Sequence, residues 1–216
     1  AKTVENDLEC GLDAIPVLTS ELRGFEIELQ AEALHILSLV AEEYPEQVTP
    51  AADEVITVLD PETDSELITD AIDIVAAIAE SEPDAVIDAA PKLATILQEG
   101  SSAEPQILTA LKRIAEAYPD AVVPITPQLT TYIEQDSDSH RIGAIAVLGT
   151  VSKDYPHIAE ETIPTATELL DAENHMLRAN AAGLLADLSD EYPEKVRSSV
   201  SRVIELLDDD DEKVRY

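Results

Sequence analysis

Tryptophan is absent from this 216-residue chain, and it has one cysteine, one phenylalanine, six glycines and thirteen basic residues. Each scarcity excludes something. A lone cysteine, Cys10, allows no intramolecular disulfide and no thiolate zinc site, and fits a reducing interior. Six glycines leave little backbone for a phosphate-cradling loop, and neither a nucleophile elbow nor paired zinc ligands occur. No apolar run of about 18 residues is present, and no basic-then-apolar segment opens the chain; the sequence reads as soluble and cytoplasmic. Aromatics make up 3%, so the 45% of hydrophobic residues must form a core from Leu, Ile, Val and Ala, a content that argues against intrinsic disorder.

Positive charge is scarcest of all: 46 Asp and Glu face 13 Lys and Arg, for a formal net of -33. Such a surface repels itself in dilute salt. Two readings compete, an acidic protein that recruits a basic partner and a cytoplasmic protein of a halophilic archaeon, where molar salt shortens the Debye length to about 3 Å. The acids run through the whole chain instead of forming one patch, which favours adaptation to high salt.

Against these absences stands a repeat. Tyr-Pro recurs at Tyr44-Pro45, Tyr118-Pro119, Tyr155-Pro156 and Tyr192-Pro193, with Glu82-Pro83 in the remaining register, so the prolines are spaced by 38, 36, 37 and 37 residues. A fixed period of this size marks a solenoid, in which one unit cannot bury its apolar face alone and stacks on the next. Before each Tyr-Pro, apolar residues at three- and four-residue steps (Leu34, Leu37 and Val40 in the first copy) mark one face of a leading helix. Small residues recur three before the Tyr: Ala41, Ala79, Ala115, Ser152 and Ser189. The proline breaks that helix, and a tight turn is expected after it. Eight residues on lies an anchor position, Asp53, Pro91, Pro127, Pro164 or Ser201, with Pro16 as an N-terminal orphan; proline there starts a trailing helix or kinks it near its beginning.

These registers divide the chain into a trailing half-repeat (1–27), five units (28–65, 66–102, 103–139, 140–175 and 176–212) and the start of another (213–216). A single solenoid, a segment of a larger protein, is the expected organisation.

Helix pairs of about 37 residues resemble HEAT repeats, and so does the phrase Leu177-Arg178-Ala179-Asn180-Ala181 after Asp171, echoed by Arg141 with Ala144 and by Val214-Arg215. They are short for that family, whose units run to roughly 40–47 residues. Tetratricopeptide units would carry Trp and Gly-Tyr signatures, which are missing, and a third short helix of armadillo type finds no room. The resemblance implies an all-α, right-handed α-α superhelix of antiparallel helix pairs. It also implies a ladder in which Arg141, Arg178 and Arg215 pair with loop acids such as Asp138, Asp171 or Asp208; Gln30 and Ile68, or nearby residues, replace Arg in the first two units.

No catalytic residue, cofactor site or metal site is expected. His35, His140, His157 and His175 share neither an i,i+4 spacing nor a phase in the repeat. Asp136-Ser137-Asp138 and the run Asp208 to Asp211 lack the Gly turn and terminal Glu of a calcium loop. Some HEAT-like proteins grip nucleic acid or are glycosylases, so a nucleic-acid protein or a HEAT-like lyase is the alternative. Phosphate binding needs a basic stripe, and the cations near Lys195 and Arg197 are interleaved with acids.

In HEAT solenoids trailing helices line the concave surface, where the first and fourth positions past the anchor face outward. This resemblance assigns a protein-binding strip to Thr57, Lys92, Thr95, Gln128, Thr131, Thr165, Glu168, Arg202 and Glu205, with Val17, Ser20 and Glu54 in the same phase. A Ser/Thr ladder flanked by mixed charge suits a peptide or helix held by hydrogen bonds. The expected function is a non-enzymatic protein-interaction scaffold with a protein partner and no membrane contact.

Overall fold

A computed structural model describes residues 8–22, 27–63, 65–101, 103–135 and 137–215, and it divides into two compact units, 1–121 and 122–216. Among the described residues all regular structure is helical. In the first unit, α1 (Leu8–Glu21) precedes α2 (Ile27–Glu43), which is followed by the short α3 (Pro45–Val48), a 3-10 turn at Thr49–Ala51 and α4 (Ala52–Val58). Next come α5 (Ser65–Ser81), a 3-10 stretch over Pro83–Ala89, α6 (Ala90–Glu99) and α7 (Glu104–Ala117), with the short α8 (Pro119–Val122) after it.

The second unit repeats the scheme. A 3-10 turn (Val123–Ile125) leads into α9 (Thr126–Ile133) and then α10 (Asp138–Ser152), two 3-10 turns (Pro156–Ile158, Glu160–Thr162) and α11 (Ile163–Leu169). After these lie α12 (His175–Leu188), the short α13 (Pro193–Val196), a 3-10 turn (Arg197–Ser199), α14 (Val200–Glu205), a last 3-10 turn (Leu206–Asp208) and α15 (Glu212–Arg215).

The residue before each motif proline has one conformation throughout: φ/ψ is -136/60 at Tyr44, -135/67 at Glu82, -132/70 at Tyr118, -129/64 at Tyr155 and -123/52 at Tyr192. Clash with the proline ring forbids the α region there. The same residue still closes the last helical bond through its N–H, as in Tyr44 to the Val40 carbonyl at 2.8 Å and Tyr118 to the Ile114 carbonyl at 2.8 Å. Proline then takes the first position of a new helical turn, where it has no N–H to lose.

The tight turn expected here is not what forms. The eight residues from motif proline to anchor coil into successive short helical turns, and at about 1.5–2 Å rise per residue this consumes no extra chain. The length argument against a third short helix of armadillo type therefore fails. Pro91, Pro127 and Pro164 are each the second residue of a trailing helix, as the anchor reading requires. Pro16 departs from it, lying in the interior of α1.

The core is aliphatic. Leu34, Leu37 and Val40 of α2 are fully buried, as are Ile72, Val75 and Ile78 of α5, Ile145, Leu148 and Val151 of α10 and Leu185 and Leu188 of α12. Successive leading helices pack on each other, α2 on α5 and α5 on α7 in the first unit, α10 on α12 in the second. The small residues Ala41, Ala79, Ala115 and Ser152 are buried, which permits close helix approach. Gly100 has φ 79 at the end of α6, where a side chain would be strained.

Candidate functional site

The trailing helices expose the phase picked out in the sequence. In the first unit Ser20, Thr57 and Thr95 are exposed, and Glu54 and Lys92 half-buried; in the second Thr131, Glu168 and Glu205 are exposed, and Gln128, Thr165 and Arg202 half-buried. Each unit thus presents its own strip.

The hydroxyls, however, are not free donors. Thr57 Oγ1 donates to the Glu54 carbonyl at 2.6 Å, Thr95 to Pro91 at 3.0 Å, Thr131 to Pro127 at 3.5 Å and Ser20 to Val17 at 3.0 Å. Hydroxyls on helices return their proton to the preceding turn, leaving lone pairs outward. These four hydroxyls therefore accept and do not donate. Gln128 holds its Oε1 buried without a donor.

The cations one past the anchor tie neighbouring trailing helices together. Lys92 Nζ reaches the Leu59 carbonyl just beyond α4 at 3.2 Å. Arg202 donates to the Thr167 carbonyl near the end of α11 at 3.0 Å and pairs with Asp171 at 3.0 Å. Unsatisfied carbonyls at a helix C-terminus attract a cation, so one repeat position clasps two successive repeats within each unit.

Beside Arg202 the second unit opens a groove of about 720 Å³ between α11 and the α13–α14 segment. Ile163 and Pro164 give it an apolar floor, and Glu160, Glu161, Glu168, Lys195 and Arg202 give it edges of mixed charge. Lys195 donates to Glu160, whose carboxyl it holds below the usual range. An apolar floor between mixed-charge edges suits an extended peptide with alternating side chains, while its acids repel phosphate. Joining the second unit's strip residues Glu168 and Arg202 to this groove was outside the reach of spacing alone, because the groove depends on the 3-10 segments that carry Glu160 and lead from Lys195 to Ser198.

A second groove of about 600 Å³ lies on the leading-helix side of the first unit, lined by Asp73, Glu80, Gln106 and Arg113 among others. Arg113 is held there by the Ala76 carbonyl at 2.6 Å and Glu80 at 2.8 Å. Burial, with Asp70 and Glu42 nearby, pushes the Asp73 carboxyl above its ordinary value.

The arginine ladder takes a different rung. Arg178 grips Asp209 with two parallel bonds, 2.7 and 2.8 Å, and donates to the Ala172 and Glu173 carbonyls, both at 2.8 Å. The partner is Asp209, not Asp171 or Asp208. Asp209 and Asp211 fold the loop into local turns, with Asp211 N–H on Asp209 and Lys213 N–H on Asp211, both at 2.9 Å, and this aims Asp209 at the guanidinium. Hydrogen bonds from Arg178 hold the Asp209 carboxyl below its ordinary value. One period before Asp209 stands Ala172, so an aspartate at this place is not a repeated feature of the sequence. The Asp208 to Asp211 run is thus a structural turn. Asp138 accepts from Asn174 at 3.3 Å, and Asp136 lies outside the described residues.

Tyrosines of the Tyr-Pro motif also join successive repeats within each unit, a role that their spacing did not disclose. Tyr118 donates to Asp84 and Tyr192 bonds Glu160, each one repeat back. Two histidines reach the next repeat, His35 lying 3.6 Å from Asp70 and His175 3.6 Å from Asp211, while His140 bonds Gln135 at 3.0 Å and His157 meets the Tyr155 ring edge-on. Among the described residues no group of three or more His, Cys, Asp or Glu could hold a metal, and no helix is long and apolar enough to cross a membrane.

These features define an all-α helical-repeat protein of the α-solenoid class. No protein-family model matches the chain, and no curated protein does. Solved structures do. Two engineered proteins solved by the Northeast Structural Genomics Consortium each match 93% of the chain with a TM-score of 0.81, at 19% identity over 92% of one and 21% identity over 55% of the other. A computationally designed armadillo repeat protein for modular peptide recognition matches 93% of the chain and 95% of its own length, with TM-score 0.77 and 18% identity.

Proposed function

We propose that the protein is a non-enzymatic protein-interaction scaffold of HEAT type, adapted to the high-salt cytoplasm of a halophilic archaeon, that takes an extended peptide segment of its partner along the trailing-helix face. The groove between α11 and α13–α14 carries this reading, since it joins the strip residues Glu168 and Arg202 to an apolar floor. The likeness to a repeat protein designed for peptide recognition supports it. The net charge of -33 supports the high-salt setting. Against nucleic acid stand the ion pairs that occupy its cations: Lys195 with Glu160, Arg197 with Glu194, Arg202 with Asp171 and Arg178 with Asp209.

Selection of displayed peptides at about 1 M KCl, where phosphate binding through counterion release has little drive, tests the proposal. Peptides should be recovered whose capture is lost in Ser198→Trp, which fills the groove. Undiminished capture by that variant would exclude the groove, and DNA binding that persists in the same salt would overturn the functional class.

A further inference from the structure

Helix α5 meets α2 on one side and α7 on the other through the same rung of the repeat, and the two rungs are filled differently. Asp70 lies twelve residues before Glu82 and Gln106 twelve before Tyr118, so the two hold one register position. Between α2 and α5, Asp70 is met by groups able to donate, with His35 Nδ1 at 3.6 Å and Ser38 Oγ at 3.4 Å. His35 and Ser38 stand nine and six residues before Tyr44; one repeat on, nine and six before Glu82, stand Asp73 and Ala76. These two line the groove of about 600 Å³ together with Gln106. A carboxylate and a methyl group thus replace two donors.

The second rung is left with an excess of acceptors. Gln106 Oε1 is buried without a hydrogen-bond donor, a condition that few buried polar atoms of native proteins keep. Asp73 is half-buried, and the charges beside it, Asp70 and Glu42, have its own sign; together with burial they push its carboxyl above the ordinary value. Among the described residues no cation or donor meets it. Thr109 Oγ1 returns its proton to the Pro105 carbonyl at 2.9 Å and keeps its lone pairs for the groove. Arg113, the cation on the wall, is already committed to the Ala76 carbonyl and Glu80.

These acceptors do not converge on a point. Glu42 belongs to α2 and Asp73 to α5, while Glu80 stands seven residues further along α5, about 10 Å at roughly 1.5 Å per residue. Among the described residues no three such groups could hold a metal ion. Ala76, Ala77 and Pro105 supply carbon surface to the same groove. Separated carboxylates over an apolar floor suit a ligand whose positive charges are themselves separated by methylenes. Gln106 can join them, because the terminal torsion of a glutamine is soft and lets the amide oxygen turn toward an entering N–H.

We propose that this groove binds an aliphatic polyamine, with one ammonium between Asp73 and Glu42, the methylenes over Ala76, Ala77 and Pro105, and a second ammonium at Glu80. The ligand supplies at this rung the donors that His35 and Ser38 supply at the previous one. It also relieves the repulsion of Asp73 by Glu42 and Asp70, so binding stabilises the first unit. The site uses no trailing-helix residue and does not depend on the peptide reading.

Calorimetric titration of the 216-residue chain with spermidine in about 1 M KCl tests this, since a Debye length of about 3 Å suppresses diffuse attraction of a polyamine to the acidic surface. One saturable phase, with one spermidine per chain, should remain at that salt, and the melting temperature should rise with spermidine. Asp73→Asn should weaken the phase at least tenfold, and Thr109→Trp, a change at an exposed helical position that fills the groove, should abolish it. Glu134→Gln, the same loss of charge at an exposed position in the second unit, should leave it unchanged. Circular dichroism checks that each variant is folded. Absence of a saturable phase in the wild type, or a phase that Asp73→Asn or Thr109→Trp leaves intact, would overturn the proposal. Equally tight binding of Nα-acetyl-lysine amide, which has a single ammonium, would overturn the assignment to a polyamine in favour of a lysine side chain.

Discussion

Leu170 and Leu207 occupy the same place in successive repeats of one unit, so truncating each to alanine isolates the effect of cover by a following helix pair. Leu170 is 2% exposed. Leu170→Ala removes a buried isobutyl group and leaves a cavity, at a cost of about 2–5 kcal/mol. Leu207 is 61% exposed, so it realises only about two-fifths of the roughly 1.5–3 kcal/mol that full burial of such a side chain contributes, and Leu207→Ala should cost about 1 kcal/mol with little cavity term. Urea unfolding of both variants in molar KCl gives the comparison from midpoints at constant slope. Equal losses, or a greater loss at Leu207, would refute the claim that burial in this repeat comes from the next helix pair.

Helical circular dichroism and melting temperature should rise substantially between about 0.1 M and 2 M KCl, because the net charge of -33 is then screened; a flat melting temperature would remove the high-salt reading and revive that of an acidic docking protein. At low salt, stability should increase as pH falls from neutrality toward the ordinary carboxylate range: burial raises the Asp70, Asp73 and Asp187 carboxyls above their unfolded values, so the folded state binds more protons there and stability is lost as pH rises through the raised values. Asp209 works the other way, its lowered carboxyl contributing stability above the unfolded value that disappears as pH falls through the folded one, so the acid limb should steepen at the bottom of the titration and do so less in Asp209→Asn. Arg178→Ala should lower the melting temperature of the second unit, and Arg178→Lys should recover only part of it because an ammonium cannot make the paired contacts to Asp209; full recovery with Lys would show that charge alone matters.

Helix faces were readable because burial in a repeat is periodic: Leu34, Leu37 and Val40 recur in phase, and the structure buries them. Anchor prolines were readable for a similar reason, since proline is tolerated in a first helical turn and Pro91, Pro127 and Pro164 sit there, although Pro16 in the same register lies inside α1. The partner of Arg178 was not. Its choice of Asp209 rests on backbone turns within an acidic loop where four consecutive aspartates look alike in sequence. The outward phase of Thr57, Thr95 and Thr131 was legible, but not that their protons return to the helix, because a side-chain rotamer leaves no periodic trace. Arg113 carries no repeat signature at all, and its grip on the Ala76 carbonyl emerges only when α5 and α7 are packed.

The central claim, that a partner peptide lies along the trailing-helix face, is tested most directly by the hydrogen-exchange footprint of a selected peptide on the whole chain in molar KCl. Protection is predicted over α11 and the Pro193–Glu205 segment, around Thr165, Glu168, Lys195 and Arg202, with the leading helices unchanged. Protection centred on Arg113 and Asp73 across α5 and α7, with none at α11, would contradict it.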